Sequence, residues 1–301
     1  MSRLSKCPIC NSSQIVLECQ INKYIYFKCL NCLVLFLNPI PTKTSINKIY
    51  ETNYSYKIDC LTTERIKSRS QKIVNNLIRL NPKGLKLLDV GPGHGYILRS
   101  AKIKNLSCYG VEPSLELSSI LKKKYVNIFN TTIEKFIENN SNRYDFITLV
   151  HVIEHLKNPR KVLNGLTKLL NHNGVIYIET PNLDSFLFYV ERCQYTFLTP
   201  PEHIYIFSNK SISKFFNDQL FRLKLSTYSY PEHFIGIIKR KFTNKKNDFT
   251  EVKKKINNDI NKNIKILIIN KFLSKLFYRA LNINNKGAFL EYYIQFDIEK
   301  N

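Results

Sequence analysis

The sequence predicts an α/β protein built on a parallel sheet, preceded by a small cysteine-bound module. Three observations carry this. From Leu85 onward, short apolar runs alternate with segments of helical periodicity, the pattern of strands joined by right-handed helical crossovers. Directly after the run Leu85–Val90, Gly91, Gly93 and Gly95 stand at alternate positions, which reads as strand, tight turn and helix start. Ahead of the domain, Cys7-x-x-Cys10 and Cys29-x-x-Cys32 are separated by 18 residues, the spacing of a ribbon closed on one tetrahedral metal ion.

Residues 1–42 form the cysteine module. Each C-x-x-C knuckle can place two thiolates on one ion, so Cys7, Cys10, Cys29 and Cys32 are the candidate zinc ligands. Four thiolates leave no open coordination position, so the zinc is structural, and so short a module has too little core to fold without such a staple. Redox-active cysteine pairs are the rival reading. Lys23–Lys28 reads as a strand leading into the second knuckle, and Cys19 falls outside the pattern as a free thiol. Val34–Pro41 closes the module, with Pro39 and Pro41 marking a linker.

Residues 43–84 are a lead-in: a tyrosine-rich stretch with Tyr50, Tyr54 and Tyr56, then a helix over Ile66–Leu80 that ends at Asn81-Pro82-Lys83-Gly84. The α/β domain spans 85–235. Its strands are expected at Leu85–Val90, Cys108–Glu112, Val126–Phe129, Tyr144–Val150 and Val175–Glu179, with a helix over Leu115–Lys124. Phe221–Tyr230 and Gly287–Asp297 read as two more strands. Between them, 236–286 is an insertion rich in Lys and Asn, and 287–301 returns to the domain. A ligand is expected at the carboxyl ends of the parallel strands.

Asp89 lies two residues before Gly91, and the glycines run G-x-G-x-G rather than the dinucleotide spacing G-x-G-x-x-G. This resembles motif I of the class I S-adenosylmethionine-dependent methyltransferases. Glu112 ends the second strand 21 residues past Gly91, where an acid can hold two ribose hydroxyls. The order and spacing of the four strand blocks fit the same family. The resemblance implies a Rossmann-like seven-stranded sheet whose last two strands form an antiparallel hairpin. It implies S-adenosylmethionine as methyl donor, bound by Asp89, Gly91, Gly93, Gly95 and Glu112. Thr131-Thr132-Ile133-Glu134 stands where many relatives hold an acid against the adenine amine, and adenine recognition stays open.

The cysteine module, the apolar Asn-Pro segment and the tyrosine stretch together resemble zinc-bearing methyltransferases of sugar and polysaccharide pathways. That resemblance implies a sugar or glycan precursor as acceptor. It also draws attention to Pro201-Glu202-His203, in a loop where a Glu-His pair of that branch is implicated in proton removal. His203 is therefore the candidate general base, with Glu202 raising its basicity. His151, at the tip of the Tyr144–Val150 strand, is the reserve. His151 and His155 lie four apart but lack the adjacent glutamate of H-E-x-x-H, so they are not read as a metal pair.

The formal net charge of +23 invites a nucleic-acid or anionic-surface reading. Lys outnumbers Arg by 35 to 11, a spread closer to coding bias than to phosphate recognition, which recruits Arg. Ile264–Leu281 has an apolar face flanked by Lys and Arg, open to three roles: peripheral membrane contact, a lid, or a dimer contact. No run reaches the ~18 apolar residues of a membrane span, and with no apolar leader the chain is expected in the cytoplasm, with free thiols. The alternatives are an RNA methyltransferase and a non-catalytic zinc-dependent interaction protein that keeps the fold.

Overall fold

The computed structural model describes residues 3–42, 60–216, 221–230 and 285–296. In the N-terminal module, β1 (Ile15–Ile21) and β2 (Tyr24–Cys29) form an antiparallel hairpin, and β3 (Leu35–Leu37) pairs antiparallel with β2. Helix α1 (Cys60–Leu80) follows, ending where Asn81-Pro82 breaks the helical pattern.

The main domain then alternates as expected. In order come β4 (Lys86–Val90), α2 (Tyr96–Ile103), β5 (Ser107–Val111), α3 (Leu115–Lys122), β6 (Asn127–Phe129), α4 (Ile133–Asn139), β7 (Tyr144–Val150), α5 (Pro159–Lys168) and β8 (Leu170–Pro181). Helix α6 (Phe186–Glu191), β9 (Tyr205–Ile206) and α7 (Asn209–Ser213) lead to β10 (Phe221–Tyr228) and β11 (Phe289–Phe296). The main sheet runs β10-β11-β8-β7-β4-β5-β6. β4 to β8 are parallel, and β11 lies antiparallel between β8 and β10. The seven-stranded arrangement, with its terminal hairpin inserted beside β8, is the one the sequence predicts. β8 begins earlier than Val175, because Leu170 already pairs with Tyr144.

Strand order turns at β4: the chain runs outward through β5 and β6, then returns to place β7 on the other side. A switch point of this kind opens a crevice at the strand carboxyl ends. One face of the sheet is covered by α1 and α2, with Ile73, Val74, Leu77, Leu98 and Ala101 packed on Phe146, Tyr177 and Tyr293. Leu88, Ile147 and Ile176 carry the other face, against Phe136, Val162, Leu163 and Leu166.

The module is anchored to the domain rather than tethered. β3 pairs antiparallel with β9, with Leu35 opposite Ile206 and Phe36 opposite Tyr205. Cys19 is disulfide-bonded to Cys193, 174 residues away, with a Cα–Cα distance of 5.4 Å. That corrects the expectation of a free thiol: β1 brings Cys19 against the turn after α6, a contact that sequence spacing does not reveal. The basic insertion, its Ile264–Leu281 segment and Tyr50, Tyr54 and Tyr56 lie outside the described residues. No helix among the described residues is long and apolar enough to cross a membrane.

Candidate active site

The glycine turn sits between β4 and α2. Gly91, Gly93 and Gly95 all have positive φ, at 65°, 53° and 75°, a conformation that costs residues with a Cβ far more. Two of them do different work. A Cβ on Gly95 would lie 2.6 Å from Leu121 Cδ2, so the bare backbone lets α2 approach α3. A Cβ on Gly93 would meet nothing within 4 Å, so this backbone faces open space.

Glu112, just past β5, closes the other side of that space. Its carboxylate accepts hydrogen bonds from Gly93 N at 3.2 Å and Ser114 N at 2.9 Å. Burial raises its pKa against the pull of those two amides. Asp89 lies within β4 and accepts from Thr148 Oγ1 on β7 at 2.6 Å. Burial pushes its pKa up to about 7, and nearby Glu112 adds to the rise. The hydrogen bond of Asp89 thus runs sideways across the switch point, to β7.

The loop after β7 passes beside the glycine turn, where a Cβ on Gly91 would lie 2.9 Å from Val152 Cγ2. His151 adopts a left-handed conformation, φ 54°, a strained choice that clusters at functional sites. Its Nδ1 lies 3.3 Å from Glu154 Oε1 and its Nε2 lies 3.4 Å from Glu179 Oε1. Burial works to lower its pKa, but hydrogen bonds to the two carboxylates raise it to about 10. The side chain keeps 39% of its surface exposed, so the carboxylates decide its charge. Two flanking carboxylates thus favour the imidazolium form of His151.

Behind it stands a buried polar cluster that the sequence reading missed. Arg69 of α1 reaches Glu179 at 2.6 Å and Glu291 at 2.5 Å. Its guanidinium stacks 3.6 Å above the Tyr228 ring. Tyr177 and Tyr228 both donate to Glu179, at 2.5 and 2.6 Å. Glu179 and Glu291 are directly opposite in the β8–β11 ladder, a like-charge pairing that a cation has to offset. The sign follows for stability: the contribution of His151 is complete below its ordinary pKa of 6.5 and is lost as pH rises through about 10. The melting temperature of the wild type is expected to fall more steeply between pH 7 and pH 10 than that of His151→Asn, which keeps a residue tolerant of positive φ. Parallel melting curves against pH would refute this charge assignment.

His203 lies beside His155, the ring centroids 4.8 Å apart. His203 Nδ1 faces the Phe197 carbonyl at 2.6 Å, and His155 Nδ1 faces the Glu202 carbonyl at 2.9 Å. A carbonyl only accepts, so both rings hold a hydrogen on Nδ1, which in a neutral ring leaves the lone pair on Nε2. Burial and the neighbouring His155 push the pKa of His203 down to about 4. Glu202 contributes its backbone carbonyl here, while the buried carboxylate near His203 is Glu154. The carboxylate that acts on His203 from across the fold is thus Glu154, a partner that sequence adjacency does not reveal. Glu154 itself accepts from Thr180 Oγ1 at 3.0 Å. Its pKa falls to about 2, because the histidines around it outweigh burial.

The cysteine cluster is assembled. Cys7 Sγ and Cys32 Sγ are 3.6 Å apart, and Cys10 Sγ and Cys29 Sγ 3.5 Å apart. All four sulfurs lie within 4.8 Å of one another. The amides of Ile9 and Cys32 donate to Cys7 Sγ and Cys29 Sγ. Such a set can hold a tetrahedral metal ion. The cysteine module also touches the segment around His203, since Tyr26 OH of β2 donates to the His203 carbonyl at 2.7 Å and Ser208 Oγ to the Cys32 carbonyl at 3.1 Å.

Comparison with known proteins agrees with this geometry. A family profile described as a methyltransferase domain matches residues 63–223. The chain is 27% identical over 169 residues to the mitochondrial ubiquinone biosynthesis O-methyltransferase of Dictyostelium discoideum, covering 51% of each. It is 27% identical over 127 residues to the ubiquinone biosynthesis O-methyltransferase of Vibrio atlanticus, covering 40% of this chain and 54% of that one. The chain thus spans about half the length of the curated relatives it matches. A solved S-adenosylmethionine-dependent methyltransferase from Archaeoglobus fulgidus shares the fold, with a TM-score of 0.51 and 17% identity over 77% of this chain and 94% of that one. With the predicted strand order in place and the family match spanning both the glycine turn and the loop that carries His203, the chain belongs to the methyltransferase domain family.

Proposed function

We propose that the chain transfers the methyl group of S-adenosylmethionine to a hydroxyl oxygen of a small molecule, and that Cys7, Cys10, Cys29 and Cys32 hold a structural zinc ion. The open backbone at Gly93, flanked by the Glu112 carboxylate, carries the donor half of this reading. When bound, the donor supplies an electrophilic methyl group on a sulfonium sulfur. Gly91, Gly93 and Gly95 let the backbone run close beneath it, and Glu112 accepts from its ribose hydroxyls. Asp89, held in place by Thr148 Oγ1, accepts from the donor's amine. Gly93 N and Ser114 N keep the Glu112 carboxylate aimed while its remaining lone pairs face the ligand.

On the acceptor side, His203 is the residue that prepares the hydroxyl, through the lone pair on Nε2. His151 and Glu179 act as a fixed charged wall. The sulfur spacings of 3.5 and 3.6 Å in the cysteine cluster sit close to the ~3.8 Å expected of four sulfurs 2.3 Å from zinc. An oxygen acceptor agrees with the naming of the relatives as O-methyltransferases. The resemblance to sugar and polysaccharide enzymes supports a sugar or glycan precursor. The test is transfer of radiolabelled methyl from S-adenosylmethionine to a panel of nucleotide sugars, glycan precursors, phenols and short RNA. Label on a hydroxylated small molecule is expected. Label on RNA alone, or no binding of S-adenosylhomocysteine by calorimetry, would overturn the reading.

A further inference from the structure

We propose that Glu154, His155 and His203 form a second metal site, a divalent-cation centre on the acceptor side that takes the acceptor's hydroxyl oxygen as a further ligand. It rests on the reading of His203 as the residue that prepares the acceptor, and it states how His203 does so.

The geometry is that of a three-ligand set drawn from separate parts of the chain. A ring nitrogen of each histidine and a carboxylate oxygen of Glu154 all lie within 4.8 Å of one another. Ligand atoms ~2.1 Å from an ion at a tetrahedral angle stand ~3.4 Å apart, so a modest contraction closes the set. Both histidines hold their Nδ1 hydrogen on a backbone carbonyl, of Glu202 and of Phe197. Metal-binding histidines are oriented in this way, with the tautomer fixed and the other nitrogen left basic. Glu154 is fully buried. Its oxygens already accept from Thr180 Oγ1 and lie near His151 Nδ1, contacts that orient a carboxylate while leaving it further lone pairs. The backbone holds the two halves together, with Ile204 N donating to the Glu154 carbonyl at 2.9 Å.

The donor set selects the ion. Two imidazoles and one carboxylate, with no sulfur, suit Mn2+, Fe2+ or Zn2+, and three protein ligands leave positions open. The cysteine cluster differs on both counts, with four sulfurs and a closed shell. A cation here draws electron density from the hydroxyl of the acceptor and releases its proton to water. The oxygen then gives an electron pair to the methyl carbon. The carbon–sulfur bond breaks with its pair retained by sulfur, so sulfonium becomes thioether and no oxidant or reductant is needed.

The probe is Mn2+ alone, titrated into the full-length, zinc-replete protein and followed by the electron paramagnetic resonance signal of free Mn2+. Thiolate clusters discriminate against this ion, so the cysteine site stays silent. About one saturable Mn2+ per chain is expected, weakened by at least about tenfold in His155→Ala, in His203→Ala and in Glu154→Gln. Enhanced water-proton relaxation by the bound ion is expected as well, reporting the open positions. No saturable binding to the wild type overturns the proposal whatever the fold of the variants. So does a wild-type site that survives unchanged in both histidine variants. Calorimetry with S-adenosylhomocysteine on the same wild-type sample separates the two readings: donor binding without Mn2+ binding removes this site alone, and absent donor binding removes the methyl-transfer reading.

Discussion

Glu112→Ala is expected to weaken S-adenosylhomocysteine binding by about a hundredfold or more, equivalent to about 3 kcal/mol. The carboxylate is buried, and its two hydrogen bonds come from backbone amides that fix its direction. Charged hydrogen bonds to a ligand contribute about 1.5–3 kcal/mol each, and a ribose presents two hydroxyls to one carboxylate. Removing the side chain also leaves Gly93 N without its acceptor at the point where the backbone faces the donor. Stability should change far less, because burial raises the pKa of this acid and its charge is not what holds the fold. Isothermal calorimetry beside a thermal melt checks both halves, with Glu112→Gln intermediate because it keeps one acceptor. Affinity within about threefold of wild type would remove Glu112 from the donor site.

Cys29→Ser should produce the second large effect, and of a different kind. Cys29 ends β2, is fully buried, and lies 3.5 Å from Cys10 through sulfur. Loss of a structural zinc ligand costs more than about 3 kcal/mol, since metal binding supplies much of the folding free energy of so small a module. The module's strand β3 forms the ladder with β9, two residues beyond His203, and Tyr26 OH holds the His203 carbonyl. Methyl transfer should therefore collapse while S-adenosylhomocysteine still binds, because Gly93 and Glu112 are carried by the ends of β4 and β5, which pair with neither β3 nor β9. Metal content, melting temperature, donor calorimetry and turnover measured on one preparation distinguish this from general unfolding. A variant that keeps its melting temperature and full turnover would show the cluster to be dispensable.

The glycine turn and the acid facing it were legible because they are local. A buried strand, three glycines and an acid at the end of the next strand fall within about two dozen residues, and the chemistry of a close backbone approach demands them in that order. The four cysteines were legible for the same reason, as two short knuckles. The acceptor half was not, because its partners meet only in three dimensions. Glu154 and His203 are 49 residues apart in number and close only because β9 returns beside the turn after β7. Sequence adjacency pointed to Glu202 instead, whose part is played by a carbonyl. Arg69 and Glu179 are separated by 110 residues, and only the β8–β11 register explains why two opposed glutamates require that arginine. Cys19 and Cys193 are further still from any spacing rule.

The short ladder between β3 and β9 bears on how such an enzyme could be altered. Two residue pairs join the module to the segment that carries His203, so one hydrogen-bonded seam runs from the cysteine module to the loop proposed to prepare the acceptor. Transplanting the loop around His203 into a related scaffold without residues 3–42 would deliver the imidazole but not its bearing surface. On the proposed reading, the portable unit for redesigning acceptor choice is the clasp and the loop together, a cassette cut from two distant stretches of the gene.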